Sequence, residues 1–326
     1  MTKRLFRLLL GTFALFLLIS GIVVYGLTKK NVERSGDKLY VTVTTTFLGD
    51  AVEQIGGDHV EVTRLMGPGV DPHQYQASSS DLDKLTTADL VLYGGLHLEA
   101  KLGDVLEQLG ANGSPIVDTS NRIPLSKLMH ADVDANANAQ IEENETGTYD
   151  PHIWFDIDLW RTVVLTIADT LKQFDAQHAA DYERRAQAYD IELQGLAQYV
   201  QNKVAELPLH LRYLVSAHDA FNYFGRYTGI EVHGIQGINT SVEAGTSDVR
   251  ETADLIIEHE IKAIFVESSV SPKLIQALQE AVEARGMSVS IGGELFSDST
   301  GARDSEAGTY IGVYRHNIDT IVNALK

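Results

Sequence analysis

The sequence contains no cysteine. Disulfides, thiolate metal sites, cysteine nucleophiles and a lipid-modified N-terminal cysteine are excluded by that absence. Any bound metal must then be held by nitrogen and oxygen. Basic residues are scarce, with 26 Lys and Arg against 45 Asp and Glu and a net charge of −19. No basic tract occurs beyond the first residues, which argues against a nucleic-acid partner. An acidic field attracts cations instead. The chain has no His-Glu-x-x-His and no Gly-x-Ser-x-Gly, the patterns of zinc proteases and nucleophile-elbow hydrolases. A histidine-rich tract is also missing. The polar, acidic stretch from His130 to Asp150 has its only histidine at its start and reads as a surface loop.

One long hydrophobic run is present. Lys3, Arg4 and Arg7 precede an uncharged stretch from Leu8 to Leu27, about 20 residues, the length of a long export signal or a single membrane anchor. The basic flank stays in the cytoplasm in either case. The body is therefore expected to be periplasmic or otherwise extracytoplasmic, with tethering through residues 8–27 if the segment is retained. Elsewhere the composition, 44% hydrophobic and 22% charged, is that of a globular protein. A chain of 326 residues suits two domains.

LYVTVTT from Leu39 is an alternating β-branched run and predicts a strand. It is followed by a helical stretch to Gln54, a strand in HVEVTRL, a helix opened by Ser80 with Asp83 three residues on, and a buried strand in DLVLYGG. A helix near LEAKLGDVLEQL and a strand in SPIVDTS complete this alternation. Asp158 is placed to cap a helix through Phe174. From Asp175, residues Tyr182, Ala186, Tyr189, Leu193, Leu196, Val200 and Val204 recur at steps of three and four, one buried stripe on a long helix that Pro208 stops. Roughly 32 residues would extend about 48 Å, enough for a strut between lobes. Strands RYLVSA, IEVHGI, KAIFVES and SVSIGG then alternate with helices in DAFNYFGRY, from Asp248 to Glu260, in SPKLIQALQEAVEAR and from Glu306 to Leu325.

The expected fold is α/β, with two similar lobes of mainly parallel sheet joined by one long linker helix. Its expected division is 1–37 for the export signal or anchor with its spacer, 38–174 for the first lobe, 175–207 for the linker and 208–326 for the second lobe. Open parallel sheets bind ligands at the carboxyl ends of their strands, so a ligand is expected between the lobes.

Two of the seven prolines occur in a repeated tripeptide, Asp-Pro-His, ending at His73 and His152. Proline fixes its own φ and pushes the preceding residue into an extended conformation, so each histidine is presented from a stiffened loop. On residues alone the repeat reads as a pair of ligands or as loop architecture. His218 follows YLVSA and Asp298 follows SVSIGGEL, each at a sheet's functional edge. Together the four would form a closed site of three nitrogens and one oxygen. That set suits tetrahedral Zn2+, or Mn2+ with bidentate or water-expanded coordination. Histidines must bind neutral, so affinity should fall below about pH 6.5. Glu267, ending a neighbouring strand, is the candidate to orient one ring. His59, His130, His178, His210, His233, His259 and His316 read as surface decoration; His97 stands nearer a strand end.

The segments DPHQYQASSSDLDKL, ADLVLYGGLHLEAKL, YDPHIWFDID, SAHDAFNYFGRYTGIEV, IFVESSVSPK and GGELFSDSTG together resemble the zinc/manganese solute-binding proteins of bacterial ABC importers (cluster A-I), most closely their TroA-like members. The resemblance spans Leu39 to Lys326. It implies a non-enzymatic receptor that holds one divalent metal between two lobes and delivers it to an ABC permease in the inner membrane, acting as a monomer. Carried over by motif, the metal ligands fall on His73, His152, His218 and Asp298. Manganese-specific members usually have Glu where this chain has His218, and Gram-negative zinc members often carry a His-rich loop, so the resemblance leaves the choice between Zn2+ and Mn2+ open. Two rival readings are a zinc-dependent hydrolase, which needs a water-bearing open metal position, and a surface adhesin, which needs no histidine cluster.

Overall fold

The computed structural model describes residues 36–131 and 149–326. The hydrophobic N-terminal run and most of the acidic stretch before Asp150 lie outside these residues. Among the described residues no helix is long and apolar enough to cross a membrane. Leu39–Lys326 forms one compact unit.

In the first lobe Leu39–Val43 (β1), Val60–Arg64 (β2), Leu90–Tyr93 (β3) and Ile116–Asp118 (β4) make a fully parallel sheet in the order β2-β1-β3-β4. Helices Thr46–Gly56 (α1), Ser79–Thr87 (α2) and Gly103–Ala111 (α3) provide the returns. The central strands β1 and β3 are buried along most of their length. That burial explains why β3 reads as a continuous apolar run, while β1 keeps its alternating β-branched pattern.

Ile157–Phe174 (α4) and Ala179–Ala205 (α5) lead to the second lobe, where Tyr213–His218 (β5) pairs in parallel with Glu231–Gln236 (β6), and Ala263–Glu267 (β7) with Ser290–Leu295 (β8). Strand β5 runs beside β7. Asn222–Thr228 (α6), Thr246–Glu258 (α7), Lys273–Glu283 (α8) and Tyr310–Leu325 (α9) complete the chain. The fold is thus two α/β lobes joined by the long helix α5.

Helix starts differ from the sequence reading wherever two capping residues stand close together. Ser78, not Ser80, opens α2: its hydroxyl accepts the Asp81 amide while the Asp81 carboxylate accepts the Ser78 amide, a reciprocal capping box. Asp156, rather than Asp158, accepts the first amides of α4. The last helix is capped by Thr309, and Glu306 belongs to a preceding 3-10 turn. The long helix has 27 residues, about 40 Å at 1.5 Å each. It begins at Ala179 because Asp175 is non-helical and its carboxylate is taken by the Tyr182 hydroxyl and the His178 ring. It ends at Ala205, where Arg212 donates to the carbonyls of Val204 and, just past the helix, Leu207.

All seven stripe residues of α5 are buried. They join a single apolar cluster that runs from β1 and α1 of the first lobe to α6, α9 and β8 of the second. The linker is therefore part of the core. Leu193 is fully buried in this cluster, and Leu193→Ala should destabilise the protein by about 2–5 kcal/mol through lost transfer energy and the cavity left behind. Urea unfolding should show a lower midpoint at an unchanged slope.

Candidate metal centre

Two loops that follow strands, one strand end and one helix-leading turn converge on one point. His73 lies in the loop after β2, His152 in the turn leading to α4, His218 is the last residue of β5, and Asp298 follows β8. All four side chains are buried. One donor atom from each lies within 4.8 Å of every other. Nε2 of His73 is 3.2 Å from Nε2 of His152, and the Asp298 oxygens lie 3.4 Å from His152 Nε2 and 3.5 Å from His218 Nε2. Donors about 2.0–2.1 Å from a tetrahedral ion are separated by about 3.3 Å, close to these three spacings. Nε2 of His218 and Oδ1 of Asp298 have no hydrogen-bond partner although both are buried. Such orphaned polar atoms cost free energy unless something else engages them.

Three of the four donors are fixed from behind. His218 places Nδ1 2.6 Å from Oε2 of Glu267, whose other oxygen accepts the His218 amide at 2.8 Å. His152 places Nδ1 2.7 Å from Oδ1 of Asp150. A carboxylate at Nδ1 holds the proton there, so each Nε2 is left as the donor facing the cluster. Ser269 donates to Asp298 Oδ2 at 3.0 Å.

A family described as zinc-uptake complex component A, periplasmic (ZnuA), matches residues 41–324. The chain belongs to the ZnuA family. The manganese-binding lipoprotein MntA of Bacillus subtilis (strain 168) is 46% identical over 294 residues, covering 90% of this chain and 92% of that protein. The zinc-binding protein TroA of Treponema pallidum is 43% identical over 296 residues, 91% of each chain. The solved structure of periplasmic zinc binding protein TroA from Treponema pallidum superposes with a TM-score of 0.82 at 43% identity, covering 88% of this chain and 99% of that one. A manganese-bound periplasmic metal binding protein from Candidatus Liberibacter asiaticus superposes at 0.73 with 25% identity, over 89% of this chain and 100% of that one.

Within this ZnuA-family site the three imidazoles are electrostatically unlike. Burial holds His73 down, at about 3, so it is neutral. Burial also opposes a charge on His152, but the Asp150 and Asp298 carboxylates outweigh it and raise the ring to about 9. His218 is raised well above its usual value because Glu267 and Asp298 overcome the same burial penalty. Asp298, although buried, is held well below the usual carboxylate range by His218 and His152. Without an ion, the carboxylates are balanced by charge on His152 and His218, and His152 Nε2 lies within reach of both His73 Nε2 and Asp298 Oδ1.

Of the other histidines, His97 and His233 line a cavity of about 990 Å³ that opens beside His73. His59 and His178 stack at 3.8 Å, each also against a carboxylate, Asp181 and Asp175, and His316 bonds the Glu294 carbonyl. Sequence reasoning named Glu267 but passed over Asp150. The signal for Asp150 was the repeated tripeptide itself, since in both copies the Asp carboxylate accepts the amide of the histidine two residues on, at 2.8 and 2.9 Å. These are Asx turns, and the stiffness comes from that bond as well as from proline.

The carboxylates move the pH window above the one expected from free histidine. At pH 7 the ion-free site holds protons on His152 and His218, which a divalent ion must displace. Affinity should therefore rise as pH increases from 7 towards 9, with about two protons released per ion at pH 7. Calorimetry in buffers of different ionisation heat measures that number. Glu267→Gln keeps a hydrogen-bond acceptor at Nδ1 but removes the charge, so fewer protons should be released and affinity should drop 10–100-fold.

Proposed function

We propose that this protein is an extracytoplasmic solute-binding receptor that captures one divalent transition metal between its lobes and delivers it to the permease of an ABC importer. The observation that carries this reading is the pair of buried, unpartnered donors, His218 Nε2 and Asp298 Oδ1, facing the Nε2 atoms of His73 and His152. An ion there would satisfy both. Membership of the ZnuA family and likeness to proteins named for zinc and for manganese binding support a transported cargo in place of a resident cofactor.

His73, His152, His218 and Asp298 are the ligands in this reading, with Glu267 and Asp150 behind them. Between the two ions, three nitrogens and one oxygen, with three of their spacings at 3.2–3.5 Å, favour Zn2+ in a direct competition, since it binds such donors more tightly than Mn2+. Mn2+ would need a second carboxylate oxygen or water to complete its coordination. Four protein donors leave no open position for a reacting water, so the site is built to hold an ion and not to run hydrolysis. We assign residues 38–174 and 208–326 to the two lobes, 175–207 to the linker and 1–37 to an export signal or anchor, and the receptor to a monomer.

Elemental analysis of protein purified without chelator should find about one zinc or manganese per chain. His152→Ala and the double variant His73→Ala/His152→Ala should lose it while keeping their circular dichroism. Undiminished metal content in His152→Ala would overturn the ligand assignment.

A further inference from the structure

His73 is held differently from the other two histidines. His152 and His218 rest their Nδ1 atoms on carboxylates, whereas among the described residues no hydrogen bond reaches Nδ1 of His73. Its position depends on its backbone. Asp71 Oδ1 accepts the His73 amide at 2.8 Å, and Asp71 Oδ2 accepts the Thr240 hydroxyl of the second lobe at 2.6 Å. Gln74 Nε2 bonds the same Asp71 oxygen at 3.1 Å and the Thr240 carbonyl at 3.3 Å. Thr240 is itself fixed: Gln236, ending β6, donates to the carbonyls of Thr240 and Val242 at 2.7 and 2.6 Å. Gln236 stands opposite His218 in the β5–β6 register.

A continuous route of bonds therefore runs from the strand pair bearing His218, through Gln236 and Thr240, to Asp71 and His73. It joins ligands of opposite lobes without passing through the ion. A second tie lies on the other side of the loop, where the Gly69 amide donates to Ser299 Oγ at 2.8 Å, one residue beyond Asp298.

We propose that Thr240, acting through Asp71, is a positioning residue that sets how long the ion stays bound. Its hydroxyl holds the Asp71 carboxylate in the one orientation that also engages the His73 amide. This is the shortest of the bonds that cross the lobe boundary here, beside Gln74 to the Thr240 carbonyl, Gly69 to Ser299 and Ser241 Oγ to the His73 carbonyl at 3.5 Å; breaking it loosens His73, while His152, His218 and Asp298 keep their places on the core. The inference rests on the reading of the site as a metal receptor. It makes release a local event at one loop, and it needs no wide separation of lobes that share a core.

The test is the rate at which zinc-loaded protein yields its ion to an excess of a chromophoric chelator in stopped flow. Thr240→Val removes the hydroxyl at nearly constant shape, and loss of a charge-assisted hydrogen bond should speed release about tenfold. Thr240→Ser should restore slow release, which a general loss of stability would not explain. Asp71→Asn, which weakens both bonds while preserving shape, should speed release in the same direction and serves as the second variant if Thr240→Val folds poorly by circular dichroism. Wild-type release rates in the folded variants would overturn the proposal. A wild-type protein that takes up no zinc or manganese would refute the receptor reading instead, so the two failures are distinct.

Discussion

Three imidazoles and a carboxylate packed together away from water are the constraint that the rest of the structure answers. Burying an ionised carboxylate costs several kcal/mol unless opposite charge is supplied at close range. Here protons on His152 and His218 supply it when no ion is present, and Asp150 and Glu267 keep those rings oriented. Metal–donor distances tolerate only about 0.2 Å. Loops alone could not hold four donors from two lobes to that margin. The stripe of α5, built into the same apolar cluster as both lobes, fixes the spacing on which the site depends.

The legible parts of the fold were those written in periodicity. The α5 stripe is readable because Tyr182, Leu193, Val204 and their companions repeat over about six turns with no competing pattern. Strand β3 is readable because its residues are almost all apolar and buried, whereas β6 and β8, partly exposed, are marked by their place in the βα alternation. Helix starts were not legible to the residue. Ser78 and Ser80, or Asp156 and Asp158, offer the same chemistry two positions apart, and only the reciprocal bond to Asp81 or the geometry of the preceding turn selects one.

At the candidate site, legibility followed local sequence. His73 and His152 stand out through their tripeptide, and Glu267 through its place at a strand end. Asp298 carries no local mark of its own; its carboxylate reads as a turn cap until the second lobe brings it beside His152 and His218. Contacts such as Asp71 with Thr240, separated by 169 residues, belong wholly to tertiary structure. The tripeptide also conceals a division of labour. The same Asx turn serves both copies and each aspartate offers its second oxygen to the second lobe, Asp150 to Asn222 and Asp71 to Thr240, but only Asp150 also holds the ring of its own histidine.

The wide separation of the four donors along the chain has a consequence for metal choice. A nascent or unfolded chain offers isolated histidines and carboxylates, each a weak ligand, and the tight site exists only once both lobes and the helix between them have folded. For a protein that crosses a membrane before folding, the first ion it can hold firmly is one from the far side. Which metal occupies the site would then be decided by where folding finishes as much as by the ligand set.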